Sequence, residues 1–113
     1  MSARAASIFK ALGHPLRLKV IDMLSSGDKC VCELFPALGV SQPNASQHLT
    51  VLKAAGLVDF YRVGTRVYYR LVVSDLPQLV RDCRTMLGEP QPAPYVPSEN
   101  PCPVEDAAAA APA

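Results

Sequence analysis

Cys30 and Cys32, one residue apart in KCVCEL, are the residues of this chain best suited to chemistry. Soft thiolates select soft, thiophilic ions. The pair stands at the start of an apolar stretch that reads as a helix. A helix N-terminus, with Lys29 beside it, favours thiolate over thiol. On a regular helix residues i and i+2 point about 200° apart around the axis. The two sulfurs can then share a small ion only if the first turn is frayed or pulled open. Capture would distort the start of that helix, which makes the pair a hinge. A pyramidal ion needs a third sulfur, and Cys83, Cys102 or an external thiol are the sources.

The elements that must position this pair follow from the flanking sequence. The helix runs from about Val31 to Leu38, and Gly39-Val40 turns the chain. Ser41 suits the N-cap of a following helix, with Pro43 in its first turn. Ala45, Leu49 and Leu52 follow i, i+4, i+7 and face a core. The other side chains of the early turns, Ser41, Gln42, Asn44, Ser46, Gln47 and His48, are candidates to touch a partner. Gln and Asn can read adenine edges with two hydrogen bonds. Upstream, residues 3–12 form a short helix ended by Gly13. His14-Pro15 opens a second helix, closed by SSGD at 25–28. Downstream, LVDFYRVGTRVYYRLV is rich in β-formers, and Gly64-Thr65 suits a two-residue hairpin turn. Pairing Val63 with Arg66 puts Val58, Phe60, Val67, Tyr69 and Leu71 on one face. Asp59 then lies opposite Arg70 on the other. Arg62, Arg66 and Arg70 flank the hairpin tip and suit phosphate contacts. A last helix from near Asp75 carries Leu76, Leu79, Val80, Cys83 and Leu87 as an apolar stripe.

The fold expected is mainly α with a β-hairpin (α+β), in the order α-α-α-α-β-β-α. Two helices joined by a short turn, followed by a basic hairpin, make a winged helix-turn-helix. A domain this small does not bury the last helix's stripe alone, so a dimer through the first and last helices is expected.

Composition divides the chain in two. Residues 1–88 form the DNA-binding and dimerisation domain. Residues 89–113 form a Pro/Ala-rich tail that cannot bury enough apolar surface to offset its ordering entropy, and it reads as mobile or loosely docked. All eleven Lys and Arg fall in 1–88 against six acids, a charge of +5 that suits a polyanion. No signal peptide or membrane span is evident, so a cytoplasmic protein with reduced thiols is expected. An enzyme is not expected: there is no C-x-x-C, no βαβ pattern and no acid/base set.

As a set, these segments resemble the ArsR/SmtB family of metal-responsive repressors. ALGHPLRLKVIDML is similar to the family's helix-two signature. SQPNASQHLTVLKAAGLV is similar to its recognition helix, and YRVGTRVYYRL to its wing. KCVCEL resembles the box at which arsenite repressors bind their inducer. The resemblance implies a homodimeric repressor on operator DNA, an imperfect palindrome, released when As(III) or Sb(III) binds, with no organic cofactor and no membrane. Where the arsenite box has a third cysteine, this sequence has Phe35, so Cys102 is the expected third ligand beside Cys30 and Cys32. The last helix has no His, against the family's zinc and nickel site. Cd(II), Pb(II), thiol oxidation or reactive sulfur, sensed through Cys30 and Cys32, are the alternative signals.

Overall fold

Capping chemistry sets most of the boundaries in the computed structural model, which describes residues 2–96. Helix α1 (Ala3–Leu12) ends at Gly13. His14 caps α2 (Pro15–Leu24), its Nδ1 accepting from the Leu16 amide at 3.1 Å. A two-residue strand, β1 (Lys29–Cys30), leads into α3 (Val31–Leu38). Gly39 closes α3 with φ 71°, a left-handed cap that residues with a Cβ rarely adopt. Ser41 then caps α4 (Gln42–Ala54), its Oγ accepting from the Asn44 amide at 3.3 Å. Strands β2 (Val58–Val63) and β3 (Arg66–Leu71) form the hairpin, and α5 (Leu76–Leu87) ends at Gly88.

The hairpin register is the expected one: Val63 pairs with Arg66, Asp59 with Arg70 and Val58 with Leu71. Val58, Val67 and Tyr69 are buried, and Phe60 and Leu71 pack at the edge of the same core. Burial pushes the Tyr69 phenol up to about 12, with the Asp59 carboxylate adding to the shift. The sheet has one strand more than expected. β1 pairs with the outer side of β3, Lys29 opposite Tyr69 and Cys30 opposite Tyr68, giving the order β1-β3-β2.

The core lies between α2, α3, α4 and the hairpin, with Ile21, Met23, Leu34, Leu49, Leu52 and Leu57 fully enclosed. Ala45, Leu49 and Leu52 are all at 0% exposure, as their spacing requires. Truncating a leucine at such depth typically costs about 2–5 kcal/mol, so α4 is held firmly on this face. The last helix behaves differently. Leu76 and Val80 are buried, but Leu79, Cys83, Met86 and Leu87 are exposed, as is Phe9 on α1. Among the described residues no helix is long and apolar enough to cross a membrane.

Candidate functional site

Cys30 is the N-cap of α3 and not part of it. Its backbone is extended, with φ −65° and ψ 144°, and its Sγ accepts from the Cys32 amide at 3.3 Å. The two Cα atoms are 5.2 Å apart and the sulfurs meet as a disulfide. The helix starts at Val31, as expected, and the extended Cys30 swings its sulfur over the turn that holds Cys32, so the 200° separation of two helical residues does not apply to the pair. Both side chains are buried. Reduced on this backbone, with Cα atoms 5.2 Å apart, the pair would offer two neighbouring soft donors, which suits a thiophilic ion. Among the described residues no three His, Cys, Asp or Glu side chains gather as a metal site. Cys83 is exposed on α5, and Cys102 lies outside the described residues.

Lys29 has hydrogen-bond partners of its own. Its Nζ donates to Ser26 Oγ (3.1 Å) and the Gly27 carbonyl (2.9 Å). The same ammonium lies 5.9 Å from the centre of the Tyr95 ring. Pro36, inside α3, was not singled out from the sequence. It has no N–H to give the Cys32 carbonyl, so the helical ladder lacks the rung that would tie the thiol turn to the next one.

The pair sits at a joint between two surfaces. Through α3 it reaches α4 and β3, both of which pack on that helix. Through the Cys30–Tyr68 pairing it enters the hairpin sheet directly. Close by, Tyr61 of β2 donates to Asp28 Oδ2 at 2.7 Å and stacks on Tyr68 with ring centres 5.6 Å apart.

On α4, Asn44 and Gln47 are exposed one turn apart, Gln42, Ser46 and His48 are half-buried, and the Ser41 hydroxyl is engaged as the cap. Thr50 and Val51 continue the exposed row and were missed, although i+3 and i+4 spacing from Gln47 marks them. On the hairpin, Arg62 lies opposite Val67, on the core-side face, while Arg66 and Arg70 occupy the other. The three arginines thus do not form one row: positions 58, 60 and 62 share a face by the alternation of the strand.

Residues 14–59 match the family model described as bacterial regulatory protein, arsR family. The HTH-type transcriptional repressor SmtB of Mycobacterium tuberculosis is 42% identical over 85 residues, covering 75% of this chain and 63% of SmtB. The HTH-type transcriptional regulator MJ1325 of Methanocaldococcus jannaschii is 38% identical over 79 residues, 69% of this chain and 89% of that protein. The chain belongs to the ArsR/SmtB family. Among solved structures, the homodimeric winged helix-turn-helix domain Mb0332 of Mycobacterium bovis superposes with a TM-score of 0.68 at 34% identity, covering 75% of this chain and 79% of that one. These ArsR/SmtB relatives are transcriptional regulators, not enzymes.

In this ArsR/SmtB chain His48 is turned into a packed cluster. Its ring centre is 4.4 Å from that of His14, and Arg17 Nε donates to its Nδ1 at 3.3 Å. Arg17 also donates to the Ala11 carbonyl at 3.0 Å, so α1, α2 and α4 meet here. Burial, then the neighbouring His14 and Arg17, hold the His48 pKa below its usual value. A depressed histidine pKa favours the neutral form in the fold. The stability it gives is complete above about pH 6.5, the unfolded value, and is lost as pH falls through the lower folded value. Thermal melts between about pH 7.5 and pH 5.5 should show destabilisation on acidification, and His48→Gln should reduce that pH-dependent part. An unchanged pH dependence in the variant would mean that other groups carry it.

Proposed function

We propose that the chain is a dimeric repressor that binds operator DNA and releases it when As(III) or Sb(III) binds Cys30 and Cys32, with Cys102 as third sulfur. The observation that carries this reading is the convergence of both sulfurs on the joint between α3 and β1. Cys30 and Cys32 would hold the ion through their thiolates, which would take Cys30 Sγ from its role as cap of α3 and load the Cys30–Tyr68 pairing. α3, packed on α4, and β3, in the wing, are the elements that would carry these changes to the DNA-binding surface. The missing rung at Pro36 lowers the resistance of the thiol turn.

The same repressor responding to Cd(II), Pb(II), thiol oxidation or reactive sulfur is the second reading. It is favoured by the sulfurs' meeting as a disulfide. The experiment that separates the two is release of DNA, selected from a random pool, titrated with As(III), Sb(III), Cd(II), Zn(II) and a persulfide. Release by As(III) or Sb(III) at the lowest concentrations supports the first reading; release only by persulfide or oxidant supports the second.

Asn44 and Gln47 are the best placed of the α4 side chains to reach base edges, ahead of the half-buried Gln42 and Ser46. Gln47→Ala should weaken specific binding by about 1–3 kcal/mol with the dimer intact. Gel-shift affinities on specific and scrambled DNA check this, and an equal loss on both would make Gln47 a backbone contact.

The wing arginines bind phosphate in this reading. Arg66→Ala should weaken binding to all sequences and flatten the slope of log K against log salt by about one unit. A changed sequence preference at constant slope would instead assign Arg66 to the bases.

A further inference from the structure

Residues 89–95 run back from α5 over α2 to the start of α3. The Glu89 amide donates to the Arg84 carbonyl at 2.9 Å. Gln91 Nε2 donates to the Arg81 carbonyl at 2.8 Å and to Thr85 Oγ1 at 3.3 Å. Residues 90–95 then line a cleft with Lys19, Asp22 and Met23 of α2. Tyr95 closes the run, its hydroxyl donating to Glu33 Oε2 at 2.6 Å. Its ring is half-buried against the core and lies 5.9 Å from the Lys29 ammonium. The segment is a strap tied to α5 at one end and seated by an aromatic ring at the other.

Glu33 is in the first turn of α3, next to Cys32. Two features weaken that turn. Pro36 has no N–H for the Cys32 carbonyl, and the Cys32 amide donates to a sulfur, a poor acceptor. Yet Cys30 and Cys32 are only 2% and 1% exposed. An ion, an oxidant or a persulfide therefore reaches the sulfurs when the turn opens locally, and the free energy of opening sets how often that happens. The turn cannot unwind about Cys32 without carrying Glu33 away from Tyr95.

We propose that the Tyr95–Glu33 hydrogen bond is a latch on the thiol turn: it holds the reduced cysteine pair closed in the resting protein and sets the threshold at which the pair responds. This rests on the reading of Cys30 and Cys32 as the sensing pair, and it holds for either signal named above. Tyr95 acts through Glu33 and α3, so it is a positioning residue of the site. One net hydrogen bond of ordinary worth changes an opening equilibrium about fivefold.

Alkylation of the reduced full-length protein by iodoacetamide tests the latch without any ion. Rates at Cys30 and Cys32 are read by mass spectrometry, with the exposed Cys83 as internal reference. Tyr95→Phe keeps the ring and removes only the hydroxyl. Both buried cysteines should then react about fivefold faster, with Cys83 at its wild-type rate. In a Glu33→Ala background the same change should have no effect. Unchanged rates in Tyr95→Phe, or an equal rise with and without Glu33, would overturn the latch. As(III) affinity of wild type and Tyr95→Phe tests the threshold, and it should tighten by the same factor. Equal As(III) affinities beside faster alkylation would overturn the threshold, because the ion would enter without the turn opening. Faster alkylation with no As(III) binding to either protein would uphold the latch and overturn the As(III) reading instead.

Discussion

Cys30→Ser and Cys32→Ser should each bind operator DNA with nearly wild-type affinity and keep it when As(III) is added. The reasons differ for the two residues. A serine at position 30 can still cap α3, because its hydroxyl accepts from the Cys32 amide as the sulfur does. The fold and the presentation of α4 should therefore survive, and only the soft donor is removed. Cys32 is at 1% exposure beneath the cap. Serine there adds a small buried hydroxyl and no bulk, so some loss of stability is expected without loss of the fold. Neither variant can draw two sulfurs to one ion, so neither can move Cys30 against α3 and Tyr68 together. Allosteric coupling of the usual size, about 1–3 kcal/mol, changes DNA affinity about 5–150-fold. In both variants As(III) should change it by less than about twofold. Fluorescence anisotropy of labelled operator, with and without As(III), reads this directly. Retained release in either variant would show that the signal enters elsewhere.

Helix boundaries and the hairpin were legible because their determinants are local. The i, i+4, i+7 spacing of Ala45, Leu49 and Leu52 identified the buried side of α4, and Gly64-Thr65 fixed the register that pairs Val63 with Arg66. β1 was not legible. Two residues show no periodicity, and their strand character exists only because β3, about forty residues away in sequence, is there to pair with them. Without β1 nothing in the sequence showed that Cys30, just before the helix expected from Val31, is held extended, which is what lets the sulfurs meet. The separation of Arg62 from Arg66 and Arg70 was available from strand parity, given the register. The docking of Tyr95 was hidden by composition. The proline-rich tail has few large apolar side chains, yet Tyr95 with its carboxylate partner, together with the bonds of Glu89 and Gln91 to α5, fastens its first residues. The place of His48 was likewise tertiary, set by His14 and Arg17 on another helix.

Leu79→Glu should convert the protein to monomers and reduce operator binding to the non-specific level, a loss of about a thousandfold or more. In one subunit Leu79 is 40% exposed, Leu87 66% and Met86 79%, with Phe9 of α1 at 62%. Water-facing side chains of this kind, on the first and last helices, are what a second copy would cover in the two-fold arrangement proposed here. α5 is braced from within its own subunit by the Arg84–Asp22 ion pair, at 2.7 and 3.1 Å, so its exposed side chains are presented by a fixed helix. A carboxylate at position 79 stays hydrated in the monomer but loses its water in the dimer, where nothing named on this face repays it. The monomer should therefore fold normally, because position 79 makes little of the core. DNA binding should collapse all the same if, as proposed, a palindromic operator is read by two copies of α4 whose spacing the dimer fixes. Sedimentation velocity, circular dichroism and operator affinity on the same sample separate the outcomes. A folded monomer without specific binding is the expected result. A variant that sediments as a dimer would place the interface on another face, and a monomer with undiminished affinity would mean that each subunit reads its half-site independently.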